Sequence, residues 1–267
     1  GSKAVLKATS LELQANSGTF KQTAGVVSIT GTDGIVVNGG SIEGKGLTLS
    51  SSVAEPDTDN NANIYATKLV QADAENGAVK IDGTTVVSNA SSSLQTTALK
   101  IGAADGTTGV STTNLIQTAG TVNVVTPNAT QAANIDENGL GEINVAGGVL
   151  EATKINLKQF SDANQKISGL VEGVNAATLT MGGGSVVVTG ANGIIVDNNG
   201  VIGGDALKLN LSTLAGATTT DGTLTSDQVS GAINAKIIKL NGENAALGGA
   251  YTDSVFEKGT APTIPWG

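Results

Sequence analysis

One ten-residue phrase returns along this chain, and no other feature restricts its fold as much. It reads AVLKATSLEL (4–13), GSIEGKGLTL (40–49), SSLQTTALKI (92–101), GVLEATKINL (148–157), GVIGGDALKL (200–209) and GAINAKIIKL (231–240). Two looser copies, ANIYATKLVQ (62–71) and TGVSTTNLIQ (108–117), end in Gln. The third residue is always aliphatic: Leu6, Ile42, Ile64, Leu94, Val110, Leu150, Ile202, Ile233. The fifth is Ala, Gly or Thr: Ala8, Gly44, Ala66, Thr96, Thr112, Ala152, Gly204, Ala235. The eighth is Leu or Ile.

The closing apolar-x-apolar triplet alternates with period two, the signature of a strand with one buried face. The third residue is a second inward position, and the small fifth residue marks a tight corner where a bulky Cβ clashes. Each phrase is therefore strand, corner, strand. No hairpin signal returns the chain on itself, and no helical stripe long enough for a crossover separates the copies. Such units coil, and the coils stack into a solenoid. A β-sandwich is the structural rival, but hairpin signals would mark it.

Stacking predicts that Leu6, Ile42, Leu150, Ile202 and Ile233 line one interior ladder and that the eighth-position residues line another. The 22 residues from Ile42 to Ile64 fit one coil. Wider gaps leave room for unmatched coils around Phe20 and Val174 and for protruding loops at 51–61, 72–91 and 126–142. At ~4.8 Å per coil, about ten coils make a rod roughly 50 Å long. Longer echoes run beside the phrase: TGTDGIVVNGGSIEGKGLTLS (30–50) with TGANGIIVDNNGVIGGDALKLN (189–210), and KQTAGVVSIT (21–30) with IQTAGTVNVV (116–125).

Composition agrees with an aliphatic solenoid. Hydrophobic residues are 39% of the 267, but aromatics are only 2% and there is one Met, so Val, Ile, Leu and Ala must fill the core. Gly is abundant at 37 but follows no Gly-X-Y period, which excludes collagen. The net charge is −9 and all 14 basic residues are Lys. Without Arg, and with an acidic balance, the chain is unsuited to nucleic acid. The scattered lysines form no polybasic membrane patch, and no apolar run reaches the ~18 residues of a spanning helix.

Cys and His are absent, so thiol or imidazole nucleophile–base pairs and Zn²⁺ sites of the usual kind are ruled out. GGSIEGKG (39–46) nearly spells a phosphate loop, but Gly46 stands where the Mg²⁺-binding hydroxyl belongs and a strand follows instead of a helix; no nucleotide site is expected. DTDNNAN (57–63) opens like a calcium loop with Asp57, Asp59 and Asn61, but Ala62 and Lys68 occupy the required Gly and carboxylate positions. Paired carboxylates for glycoside hydrolysis exist on paper in Asp57 with Asp59 or Asp136 with Glu137. The latter are adjacent, and adjacent residues of a strand point to opposite faces, so they make a poor pair. The sequence thus gives no catalytic, cofactor or metal residue and requires no cofactor.

AVLKATSLELQANSGTF (4–20) resembles the haemagglutinin-type repeat of bacterial filamentous adhesins and autotransporter passenger domains, roughly G-x-L-x-A-x-x-L-x-L-x-A followed by Asn-x-Gly. Leu6, Ala8, Leu11, Leu13, Ala15, Asn16 and Gly18 fall on or near its positions; later copies keep the first half and lose the Asn-x-Gly half. The resemblance implies an all-β, right-handed parallel β-helix (β-solenoid), exported and displayed at the bacterial cell surface. The absence of Cys and the Thr, Asn and Gly content fit export. The chain opens GSKAVLK without a signal segment, and it reads as a piece of something longer.

The expectation is a solenoid domain over 1–250 and a C-terminal cap or linker over 251–267, where Tyr251, Phe256 and Trp266 gather and FEKGTAPTIPWG breaks the phrase. The expected function is an extracellular structural or adhesive rod for cell adhesion, aggregation or biofilm formation. Its partner would be a host cell, matrix or another copy, with any membrane anchor lying outside these residues. The alternative is a glycan-processing β-helix enzyme or a phage tailspike-like domain. An ice-binding solenoid would need Thr-x-Thr at a fixed coil position, but the Thr residues shift register between copies.

Overall fold

The computed structural model describes residues 4–50, 62–71, 76–125, 141–158, 173–197, 200–204, 207–209, 233–235, 238–240, 246–247, 250–251 and 257–258. Among them there is no helix, and every strand pairing is parallel. Short strands alternate inward and outward, with burial patterns such as buried at Ile42 and Gly44 and half-buried between. The phrase is strand, corner, strand, and the fifth residue is buried at the corner in six copies, at Gly44, Ala66, Thr96, Thr112, Ala152 and Ala235, while Ala8 is half-buried and Gly204 exposed. At Gly44 an added Cβ would lie 2.8 Å from Ile64 Cδ1, the movable end of that side chain, so the corner is close but has room for the Ala that other copies carry there, as at Ala66 and Ala152.

Most strands form three ladders; Lys208–Leu209 and Ala250–Tyr251 pair with each other in a separate two-stranded sheet. The first face stacks residues 5–8, 26–29, Asn63–Ala66, Leu47–Leu49, 84–87, 114–117, Val149–Ala152, Ser185–Val188 and Ile233–Ala235 in that spatial order. The second stacks 10–13, 34–37, Lys68–Gln71, Ser93–Thr96, Thr121–Val124, Gly173–Ala176, Ile155–Leu157, Ile194–Val196 and Ile238–Leu240. The third stacks Thr19–Lys21, Ser41–Gly44, 78–81, 109–112, Ala98–Ile101, Glu142–Val145, Thr178–Met181, Val201–Gly203 and Ala246–Leu247. This is a β-solenoid-like fold. Its interior is aliphatic from Val27 to Ile238, and Thr85 and Thr112, both fully buried, interrupt it by hydrogen-bonding to each other at 3.0 Å.

The ladder expectation needs correction. Leu6, Leu150 and Ile233 do lie on one face, but Ile42 and Ile202 lie on another, so the third-position residues do not form one column. Third- and eighth-position residues also share columns: Leu47 is the rung neighbour of Ile64. The reason is that the phrase encodes a corner, and the corners of all three faces use it. The 22 residues from Ile42 to Ile64 are accordingly not one coil, because the two residues occupy different faces. Leu6 itself, at the edge of the first face, is 49% exposed.

Two loop expectations change as well. The segment 72–91 contains the strand Ala78–Val87, which turns a corner between the third and first faces. Glu142, at the end of 126–142, begins a strand; residues 51–61 and 126–140 lie outside the described set. Within the expected cap, Tyr251 closes the strand Ala250–Tyr251, which pairs with Lys208–Leu209, and Glu257–Lys258 adds a rung on Lys239–Leu240; residues 252–256 and 259–267 lie outside the described residues.

The ladders are not in chain order. Among the described residues, a strand docks one rung ahead in three places and the chain then returns to fill the rung beneath it. Leu47–Leu49 lies above the later strand Asn63–Ala66. Ala98–Ile101 lies above residues 109–112, and Ile155–Leu157 above Gly173–Ala176. Backbone bonds join each pair: Ile64 N–H to Gly46 O at 2.9 Å, Gly102 N–H to Thr112 O at 2.9 Å, and Val174 N–H to Lys154 O at 2.8 Å. The returning strands enter so close beneath the advanced corner that a Cβ on Gly109 or Gly173 would lie 2.4 Å from Ala98 O or Lys154 O.

A buried glutamine spans each of these corners. Gln22 Oε1 accepts the Lys45 N–H at 3.1 Å, and its Nε2 donates to Gly25 O at 2.7 Å. Gln117 repeats this, with Thr153 N–H at 2.9 Å, Thr153 Oγ1 at 3.0 Å and Gly120 O at 3.0 Å. Gln71 Oε1 accepts Thr97 N–H at 2.8 Å and lies 2.9 Å from the Thr96 and Thr97 hydroxyls. The corner beneath an advanced strand is one rung too far away for a backbone carbonyl, and the Gln amide supplies the missing acceptor. The echoed K/I-Q-T-A-G stretches are these clamps.

Candidate functional site

Outward positions of the third face carry the main charge cluster among the described residues. Lys21, Glu43, Lys80, Ser111 and Lys100 are successive rung neighbours. Each sits between or beside inward aliphatic residues of its strand, so the pleat forces it outward. Lys21 Nζ is 2.6 Å from Glu43 Oε2, and Lys100 Nζ is 2.9 Å from Asp105 Oδ1. At the adjoining corner Lys45 pairs with Asp82.

Five of these groups, Lys21, Glu43, Lys45, Lys80 and Asp82, border a cleft of about 320 Å³ that Thr23 also lines. Ala104 reaches it from the connection after Ala98–Ile101, and Ser111 Oγ anchors that connection by accepting the Gly106 N–H at 3.2 Å.

The lysines set the ionisation of the carboxylates. The hydrogen bond from Lys21 holds Glu43 below its ordinary range, and the charges of Lys21 and then Lys80 add to it. Lys45 lowers Asp82 in the same way. Asp105 is lowered first by its hydrogen bond from Lys100, with a smaller pull from Lys80. Glu43 in turn raises Lys21. Depressed carboxyl pKa values contribute stability above the unfolded carboxyl range of about 4, and this is lost as pH falls through the folded values. The Lys21 contribution is present below its unfolded value of 10.5 and lost as pH rises beyond it. All these groups are solvated, so the effects on stability are small.

Replacing Lys80 by Gln is expected to raise the pKa of Glu43 and Asp105 and leave Asp82 where it is, because Lys80 acts on the first two only. Carboxyl ¹³C titration by NMR measures this. An Asp82 shift as large as that of Glu43 would contradict the arrangement.

Chemically, the cleft can hold a polar partner through ammonium and carboxylate groups. A general acid needs a carboxyl pKa raised towards neutrality, and the three carboxylates with shifts here move the other way. Among the described residues no three acidic side chains are grouped as a metal site. Asp57, Asp59, Asp136 and Glu137, and Asn61 with them, lie outside the described residues. The near-phosphate loop at 39–46 runs through the strand Ser41–Gly44 and its corner, with no helix behind it.

The sequence did not mark this cluster, because Lys21, Glu43, Lys80 and Lys100 are far apart in the chain and only the rung register aligns them. Their one local signal is that each is a charged residue at an outward position between aliphatic or small ones. No family model, curated protein or solved structure matches the chain.

Proposed function

We propose that the chain is a rod domain of a bacterial surface adhesin or autotransporter passenger, a right-handed parallel β-helix of about ten irregular coils at ~4.8 Å spacing. It is displayed outside the cell and mediates adhesion, aggregation or biofilm formation without catalysis. The observation that carries this reading is the three ladders with aliphatic inward positions, whose stacking needs no catalytic residue, and the ion pairs Lys21–Glu43 and Lys100–Asp105 on the outer side of the third face. Stacking uses the inward residues, and the connections between coils are free to vary and to make contacts.

The test is display of the chain on cells or beads. Deleting 126–140, or deleting 51–61 with a Gly/Ser linker of equal length in its place to keep the return from Leu49 to Asn63, is expected to weaken aggregation or adhesion while far-UV circular dichroism keeps its β signal. The purified protein is expected to release no reducing ends from neutral or acidic polysaccharides, with or without Ca²⁺. Cleavage of any of them would replace the rod by the glycan-processing reading, and intact binding after both deletions would move the contact surface to the coil faces.

A further inference from the structure

We propose that the interleaved rungs are mechanical stops, which keep the solenoid from peeling apart coil by coil under load. A regular solenoid is weakest at its ends. Its outermost strand is bonded on one side only, and each coil released exposes the next. The order of rungs here blocks that sequence from both directions.

Peeling from the N-terminal side can remove the strands up to Ser41–Gly44 one edge at a time. The next strand in the chain, Leu47–Leu49, is not an edge. Asn63–Ala66 lies beneath it and residues 84–87 lie above it. Pulling it out breaks two ladders at once. Peeling from the C-terminal side proceeds to Thr178–Met181 and then meets Gly173–Ala176. That strand is held between Thr121–Val124 below and Ile155–Leu157 above. A third interleaved pair, Ala98–Ile101 over residues 109–112, lies between the two stops.

The buried glutamines reinforce the same corners. Gln22, Gln71 and Gln117 bond the Lys45, Thr97 and Thr153 amides, each of which immediately precedes or adjoins an advanced strand. The interleaving also recurs on different faces: first, then third, then second. No single side of the prism therefore lacks a stop. This inference concerns resistance to force and does not rest on the adhesive reading; a rod of any function would have it.

The first test uses two full-length variants, each with one inserted protease site. In one the site lies between residues 157 and 173, in the other between 125 and 141. After cleavage the first variant has Ile155–Leu157 of one piece wedged between Gly173–Ala176 and Ile194–Val196 of the other. In the second the pieces meet across rungs that are in chain order. The wedged pair is expected to separate at least about tenfold more slowly in mild urea, because several ladder hydrogen bonds must open together. Equal or faster separation overturns the proposal.

The second measurement needs no insertion. When the intact chain is pulled from both termini in optical tweezers, the ends are expected to unravel in small low-force steps. Resistance then rises when the fronts reach Leu47 and Ala176. The remainder is expected to give way in large steps; the 46 residues from Ile64 to Val110 correspond to about 17 nm at ~3.6 Å per residue. Uniform coil-sized steps from end to end overturn the proposal.

Discussion

Replacing Ile64 by Asp is expected to destabilise the solenoid by several kcal/mol, because it places an unpaired carboxylate in a site with no polar partner. Ile64 is fully buried. Its rung neighbours are Val27 on one side and Leu47 on the other. Because rungs act mainly on the rungs beside them, hydrogen exchange should lose protection first at 26–29 and Leu47–Leu49, before the distant strands Thr178–Met181 and Ser185–Val188. Tyr65, the next residue, points outward and is half-buried. Tyr65→Asp is the control, with an expected effect within about 0.5 kcal/mol of wild type. Equal behaviour of the two variants would mean that the pleat has been assigned to the wrong side.

How the sequence bears on the fold can be seen at these same residues. That Ile64 is inward and followed by a corner was legible, because period two and a small fifth residue are local signals. The class of fold follows from them, since repeated strand-corner-strand units without helices have few other ways to bury their aliphatic residues. Which residue stacks on Ile64 was not legible. The phrase is the same at every corner, so a copy does not state its face, and Leu47 and Ile64 look like members of separate columns. Rung order depends on where a returning strand inserts, a non-local choice among nearly equivalent aliphatic partners.

The charge cluster was hidden for the same reason. Glu43 and Lys80 are 37 residues apart and become neighbours only through the register. The clamps were partly visible. The looser phrases that end in Gln, 62–71 and 108–117, begin with two of the three returning strands and close with the residues that span the next corner. Their departure from the repeat was therefore a signal, and a buried Gln at an otherwise aliphatic column position was its physical content. In the turn after the first phrase Asn16 takes a left-handed backbone with φ of 63°, a conformation Asn adopts more readily than most residues.

The strongest test of the clamps is Gln71→Met. Gln71 is fully buried, in the column between Val37 and the Ser93–Thr96 rung. Met has nearly the same length and no acceptor of comparable strength. The equivalent tenth position of EGVNAATLTM (172–181) is naturally Met181, also fully buried, so the shape is compatible with such a corner. The substitution leaves the Thr97 N–H and hydroxyl without their carbonyl oxygen, while the Thr96 hydroxyl keeps Ala98 O at 2.9 Å. Two buried donors without partners cost about 2–4 kcal/mol together. Gln22→Met should cost less, about 1–2 kcal/mol, because it strands a single donor, the Lys45 N–H at the more exposed corner, together with the Gly25 carbonyl that its Nε2 serves. Urea unfolding ranks the two variants, and hydrogen exchange should locate the loss at the Thr97 amide. If Gln71→Met costs no more than Gln22→Met, or leaves Thr97 protected, the glutamine is filling space and some other contact holds the advanced strand Ala98–Ile101 in place.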